Sequence, residues 1–184
     1  MSEPLIGEPP ALDLVNTRPA DGDLLQTPEQ LTRWLDLQAG RLSGLPGDAT
    51  AADLAAVHAV RDHTARILEA LLAERVPPAA ALDGLTAAQA AAPAIRTLEW
   101  GAGGFTATVR RLGEPGTHVA AALADAAVDL LADPSIARVR QCAADDCVLL
   151  FLPAHPRRQW CSPERCGNRA RVARYYQRHK GADR

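Results

Sequence analysis

The chain has 184 residues, a net charge of −2 and a hydrophobic share of 47%, with aromatic residues only 4% of the whole; this admits one ordinary domain plus a small module and argues for alanine-packed helices over a β-sandwich. The charge is split: residues 1–137 hold 9 Lys and Arg against 18 Asp and Glu, and residues 138–184 hold 11 against 4, a net of +7. An acidic body followed by a basic segment is the arrangement expected when the tail meets nucleic acid.

No apolar stretch approaches the roughly 18 residues of a membrane helix, and the first twenty residues carry Glu3, Glu8 and Pro9-Pro10 instead of a signal-peptide core. The expected location is the cytoplasm, where clustered cysteines are more readily metal ligands than disulfides.

In chain order, Ala11-Leu-Asp-Leu-Val-Asn-Thr17 alternates imperfectly and fits either a short strand or a first helical turn. Thr27-Pro28-Glu29-Gln30 is a capping box with proline at the first helical position, and Leu31, Trp34, Leu35 and Gln38 continue at helical spacing, predicting a helix near 28–39. A glycine-rich loop leads to a second cap at Thr50. Leu54, Val57, Arg61, Thr64, Leu68 and Leu71 then trace one side of a long helix to about Arg75. Pro77-Pro78 ends it, and 79–92 predicts a third helix closed by Pro93.

Residues 95–112 place β-branched and aromatic residues on either side of Gly-Ala-Gly-Gly, the pattern of a β-hairpin. Thr117 then reads as the cap of a helix whose stripe is Val119, Leu123, Ala126, Ala127, Leu130 and Leu131, stopped at Pro134. The change of charge there sets the expected boundary: a helical, acidic domain over 1–135 and a basic module over 136–184. The fold expected is mainly α with a small β-hairpin, the helical amino-terminal domain being followed by a carboxy-terminal treble-clef-like zinc finger.

The evidence for the finger is Cys142, Cys147, Cys161 and Cys166, spaced CxxxxC, thirteen residues, CxxxxC. Paired cysteines of this kind close a tetrahedral thiolate shell around one structural Zn2+. Arg138–Cys142 and Val148–Leu152 read as two strands with the first pair at their turn. Ser162-Pro163-Glu164 reads as a helix cap beside the second pair. His155, in a proline-flanked loop, is the alternative considered for one ligand; the four ligands expected are all cysteines with no carboxylate in the set, so the site reads as closed and structural.

The string Trp160-Cys-Ser-Pro-Glu-Arg-Cys-Gly-Asn-Arg169 contains Cys166-Gly167-Asn168-Arg169 and resembles the CGNR zinc-finger family of bacterial stress-induced transcriptional regulators. Ala11-Leu-Asp-Leu-Val-Asn-Thr-Arg18 looks like the opening of the domain that precedes the finger in that family. The resemblance implies zinc binding and DNA binding in transcription control. The family's usual pattern has a longer gap between the cysteine pairs, a methionine where Pro163 stands and a lysine where Arg171 stands; the shorter gap bears on the loop holding Arg157 and Arg158.

On a helical wheel Arg171, Arg174, Tyr175 and Arg178 fall on one solvated stripe suited to phosphates, opposite Cys166, Ala170, Val172, Ala173 and Tyr176. Arg157 and Arg158 are further candidates for phosphate contact, and Arg165 and Asn168 are able to read base edges. Arg169 points to the apolar side and is expected to brace the module by bonding hairpin carbonyls, with Trp160 packed beside the metal. In the body Trp34 and Trp100 read as core anchors, with a ligand-pocket lining as the alternative, and Asn16, Thr17 and Arg18 read as caps or further candidate linings of that pocket. His58 and His63 share no helical face, and no phosphate loop, nucleophile motif or acid–base pair points to an enzyme. The function expected is a regulator whose body senses a small molecule or forms a homodimer while the finger contacts DNA. The alternative is a protein-interaction module whose basic finger docks an acidic partner, its own body included.

Overall fold

The computed structural model describes residues 6–42 and 47–179, with the backbone alone for 173, 174 and 176–179. Six helices and two small antiparallel hairpins follow one another: α1 Pro10–Val15, α2 Pro28–Leu37, α3 Ala51–Leu72, α4 Ala79–Ala91, β1 Ala94–Gly101, β2 Gly104–Arg111, α5 His118–Ala132, β3 Arg140–Gln141, β4 Leu150–Phe151 and α6 Asn168–His179. The amino-terminal segment that fits strand or helix is the six-residue α1. Pro10 sits in its first turn, where the missing N–H costs nothing.

The predicted capping box closes, and the cap predicted at Thr50 proves to be a second one. Thr27 Oγ1 accepts from the Gln30 amide while Gln30 Oε1 accepts from Thr27, and Thr50 pairs with Asp53 in the same way. Thr117 does not act as the predicted cap: its hydroxyl donates to the Glu114 carbonyl at 2.7 Å inside a 3-10 turn that leads into α5. That turn serves the chain entering α5, because the helix starts immediately after it.

Helices α3, α4 and α5 pack against one another, α2 lies on α3, and α1 fits against α3 and α5. The small side chains allow this closeness: α5 buries Ala120, Ala121, Ala122, Ala124 and Ala127 beside Val119, Leu123 and Leu130. In α3 the buried face is broader than the predicted stripe, taking in Val60 and Ile67 and leaving Leu71 exposed. The same core continues past α5 into Val139 and Leu150, so strand β4 has one side in the body. Its other side, Phe151 with Leu149, belongs to a second core made of the four cysteines.

Hairpin β1–β2 runs in unbroken register from Ala94↔Arg111 to Gly101↔Gly104. It stands away from the bundle with most of its residues exposed. Hairpin β3–β4 pairs only two residues per strand, shorter than the predicted 138–142 and 148–152. The chain leaves the ladder early because Cys147 N donates to Ala144 O, folding residues 142–147 into a tight knuckle.

Candidate metal centre and its seat

The knuckle and the turn before α6 bring four sulfurs together. Cys142, Cys147, Cys161 and Cys166 are all buried, and their Sγ atoms lie within 4.8 Å of one another. Cys147 and Cys161 are 3.9 Å apart and Cys161 and Cys166 3.5 Å. A tetrahedral zinc with bonds of about 2.3 Å needs sulfurs roughly 3.8 Å apart. The donor set therefore fits one structural zinc ion, with all four coordination positions supplied by the chain. Among the described residues no other His, Cys, Asp or Glu joins the group; exposed His155 instead accepts the Arg157 amide through Nδ1.

The carboxy-terminal pair is placed by Ser162, whose hydroxyl accepts from the Arg165 amide, and by a π-helical turn over Pro163–Gly167 in which the Gly167 amide reaches the Ser162 carbonyl. Gly167 lies close under Trp160, which packs beside the cysteine cluster: a Cβ there would lie 3.3 Å from its Cδ1, so the indole would have to shift by a few tenths of an ångström. The cysteines are electrostatically unequal. Burial pushes Cys147 up to about 11 and drives Cys161 higher, helped by the neighbouring sulfurs. Burial also opposes the Cys142 thiolate, but hydrogen bonds from the Cys161 and Ala144 amides overcome it and hold that group below the usual thiol range. Thiols buried in this way give up their protons readily only to a cation held between them.

Arg169 sits on the first turn of α6, and its guanidinium bonds both carboxylate oxygens of Asp146 at 2.7 and 2.8 Å and approaches Cys166 Sγ at 3.6 Å. The predicted carbonyl partners are thus replaced by a knuckle carboxylate and a ligand sulfur. The reason is reach: the exposed knuckle lies across from the helix start, and its acid offers a bidentate fork to arginine. Asp146 first, then Cys166, holds the guanidinium in its charged form. Val172, predicted on the sheltered side, is exposed.

The finger is seated on the body by side chains reaching from either end of α1. The Asn16 carboxamide makes two bonds to one residue of β4, donating to Leu150 O and accepting from Leu150 N, both at 2.8 Å. Glu8 Oε2 accepts from Leu152 N at 2.8 Å. Together they satisfy the free edge of β4, which β3 leaves open on that side. Glu8 Oε1 also accepts from Arg158 at 2.6 Å, and Arg158 further bonds the carbonyls of Trp160 and Cys161 and lies 4.5 Å over the Phe151 ring. Glu8 is itself fixed: its amide donates to Asp13, whose carboxylate is held by Gln38 and Arg41, and Arg41 also donates to the Glu8 carbonyl.

Several candidate residues therefore stand elsewhere than expected. Asn16 is a buried clamp on β4. Thr17 accepts from buried Arg61, which pairs with Asp23, and Arg18 forms surface ion pairs with Asp23 and Asp62. Trp34 is the core anchor that the sequence favours, whereas Trp100 is at the exposed tip of the β1–β2 hairpin, outside both cores. Two cavities stand out, a groove of about 470 Å³ between residues 19–21 and the finger, and a recess of about 150 Å³ between α3, α4 and α5. None of Asn16, Arg18, Trp34 and Trp100 lines either, because α1 and the helical core absorb the first and third. Arg158 faces Glu8 instead of solvent. Arg157, Asn168 and Arg171 are exposed, with Asn168 Oδ1 accepting from Arg171 at 2.9 Å; Arg165 is half-buried beside the 470 Å³ groove. The side chains of Arg174 and Arg178 lie outside the described residues. Glu8, Asp13, Arg41 and Asp146 were not singled out by sequence, and their only signal is polarity next to apolar runs.

A helical body and a closed four-thiolate finger define a zinc-finger protein whose metal is structural. Residues 8–134 match the family model ABATE, described as "Putative stress-induced transcription regulator", and residues 138–179 match the CGNR zinc finger. The chain belongs to the ABATE family of transcription regulators and carries that zinc finger at its carboxy-terminal end. No curated protein sequence matches it. Both families are regulatory or metal-binding in kind, not enzymatic, and among the described residues no helix is long and apolar enough to cross a membrane.

Proposed function

We propose that the protein is a non-enzymatic, cytoplasmic DNA-binding regulator in which residues 1–135 receive a signal and residues 136–184 meet DNA. The observation that carries this reading is where α6 begins. The helix starts two residues after the ligand Cys166, so the zinc cluster fixes its position and presents Arg171 to solvent, with Arg174 and Arg178 at the following helical spacings. Arginine forks in such a row bind phosphates and give affinity without sequence information; Arg165 and Asn168 at the helix start are the candidates for base edges. Arg158 is not counted among the contacts, because its guanidinium is occupied by Glu8.

The seat on α1 supports the division of labour. A change in the body that moved Glu8 or Asn16 would shift β4 and with it the cysteine cluster. Selection of bound fragments from genomic DNA with the purified, zinc-loaded protein tests the proposal. A shared sequence should be enriched, and no enrichment over input would count against it. The Arg158–Glu8 pair favours one alternative, a basic finger made for acidic protein surfaces; a stable protein complex with no retained DNA would select that reading.

A further inference from the structure

Hairpin β1–β2 is amphipathic, and among the described residues neither face is covered, Val109 near its base being half-buried. The register puts Arg96, Leu98 and Trp100 of β1 on one face with Val109, Ala107 and Phe105 of β2 as their direct partners. The other face carries Ile95, Thr97 and Glu99 with Arg110, Thr108 and Thr106. On the apolar face Leu98 is 67% exposed, Trp100 73% and Phe105 71%, and the two rings stack edge to face at 4.7 Å. A lone two-stranded hairpin is marginal in water, and a contiguous apolar patch of this kind marks a contact surface.

We infer that this face binds the same face of a second copy of the chain, the two hairpins stacked antiparallel about a twofold axis through Leu98 and Ala107. That arrangement gives every charged group on the face an aromatic partner. Leu98 and Ala107 lie midway between the basic end, Arg96 with Val109, and the aromatic end, Trp100 with Phe105. A twofold rotation that reverses the strands therefore sets each Arg96 over the partner copy's indole, a cation–π contact, and each Val109 over a Phe ring.

Stacking the hairpins in parallel would instead lay β1 over the partner copy's β2, setting each Arg96 over a Val109 and leaving both guanidiniums at one end without an aromatic face. It would also crowd two bodies whose first 137 residues each carry twice as many acidic as basic residues. The antiparallel arrangement keeps the bodies at opposite ends. Four aromatic rings burying about 150–250 Å² each when fully covered, with two leucines, bring the contact to roughly 1,000 Å², the lower range for a specific interface.

Sedimentation equilibrium of the full zinc-loaded chain tests this. The parent should show a reversible monomer–dimer equilibrium in the micromolar range. Leu98→Asp and Trp100→Ser should each weaken it roughly tenfold or more, as expected for central interface anchors, while Thr97→Asp on the opposite face leaves it unchanged. Helical circular dichroism of all three variants should match the parent, since the hairpin is outside the core. A parent that stays monomeric, or a dimer indifferent to Leu98→Asp and Trp100→Ser, overturns the inference. So does loss of DNA affinity in those variants without change of mass, which would assign the face to nucleic acid.

Discussion

The two hairpins differ in the opposite sense from what their lengths suggest. β1–β2 pairs eight residues per strand and is left exposed, whereas β3–β4 pairs two residues per strand and has one strand, β4, wholly buried. What orders the short one is everything around it: four sulfurs on one side, the body's core against Leu150 on the other, and Asn16 and Glu8 along its free edge. Ladder length is thus a poor guide to which strand pair carries the fold. Side-chain bonds to the backbone and burial decide it.

The comparison predicts a descending series of effects. Removing the metal by chelation, or replacing Cys161 with Ser, should cost the most, on the order of 10 kcal/mol of finger stability. Because Leu150 belongs to the body's core and its strand neighbour Phe151 to the finger's, thermal unfolding of the whole chain should also start lower. Chelation that left the melting curve unchanged would separate finger from body. Asn16→Ala should come next, at about 3 kcal/mol by denaturant titration, since it strands both backbone groups of Leu150 in a buried setting. A loss below about 0.5 kcal/mol would mean that water or a shifted α1 replaces the carboxamide.

Asp23→Asn should cost about 2 kcal/mol at neutral pH, because Arg61 is almost wholly buried and depends on that carboxylate, which is itself partly exposed. Burial works against the Asp23 charge, but Arg61 and the Leu25 amide outweigh it and hold the carboxyl below its ordinary value. Its contribution is therefore present above about pH 4 and is lost as the pH falls through the lowered folded value. Acid unfolding of the variant should be correspondingly flatter below that pH. Trp100→Ser, in the long hairpin, should change the unfolding free energy of the dilute protein by less than about 0.5 kcal/mol; a larger loss would show that this hairpin packs after all.

Local features of this arrangement were readable in the sequence because their partners are near in the chain. The box at Thr27, the caps at Thr50 and Ser162, the glycine turn between β1 and β2 and the cysteine spacing all act over short stretches of chain. The seat of the finger was not, since Asn16 and Glu8 meet residues 134 and 144 positions away. Nothing in an apolar run followed by Asn, Thr and Arg distinguishes a pocket lining from a strand-edge clamp. Arg169 was legible as a bracing residue, but its partner Asp146 depends on how the knuckle turns. For Trp34 and Trp100 the same residue type reads alike in a core and at an exposed tip.

Delivery of arginines to DNA phosphates by helix α6 is the step on which the proposed function depends. Fluorescence anisotropy of a labelled duplex, titrated with zinc-loaded protein over a range of salt, measures it most directly. The parent should bind with an affinity that falls steeply with salt. Replacing Arg171, Arg174 and Arg178 together should both weaken binding and reduce the logarithmic salt slope by roughly 2 to 3, about 0.9 for each phosphate that is no longer neutralised. A triple variant that binds as tightly as the parent, with the same salt slope, would contradict the assignment of α6 to DNA.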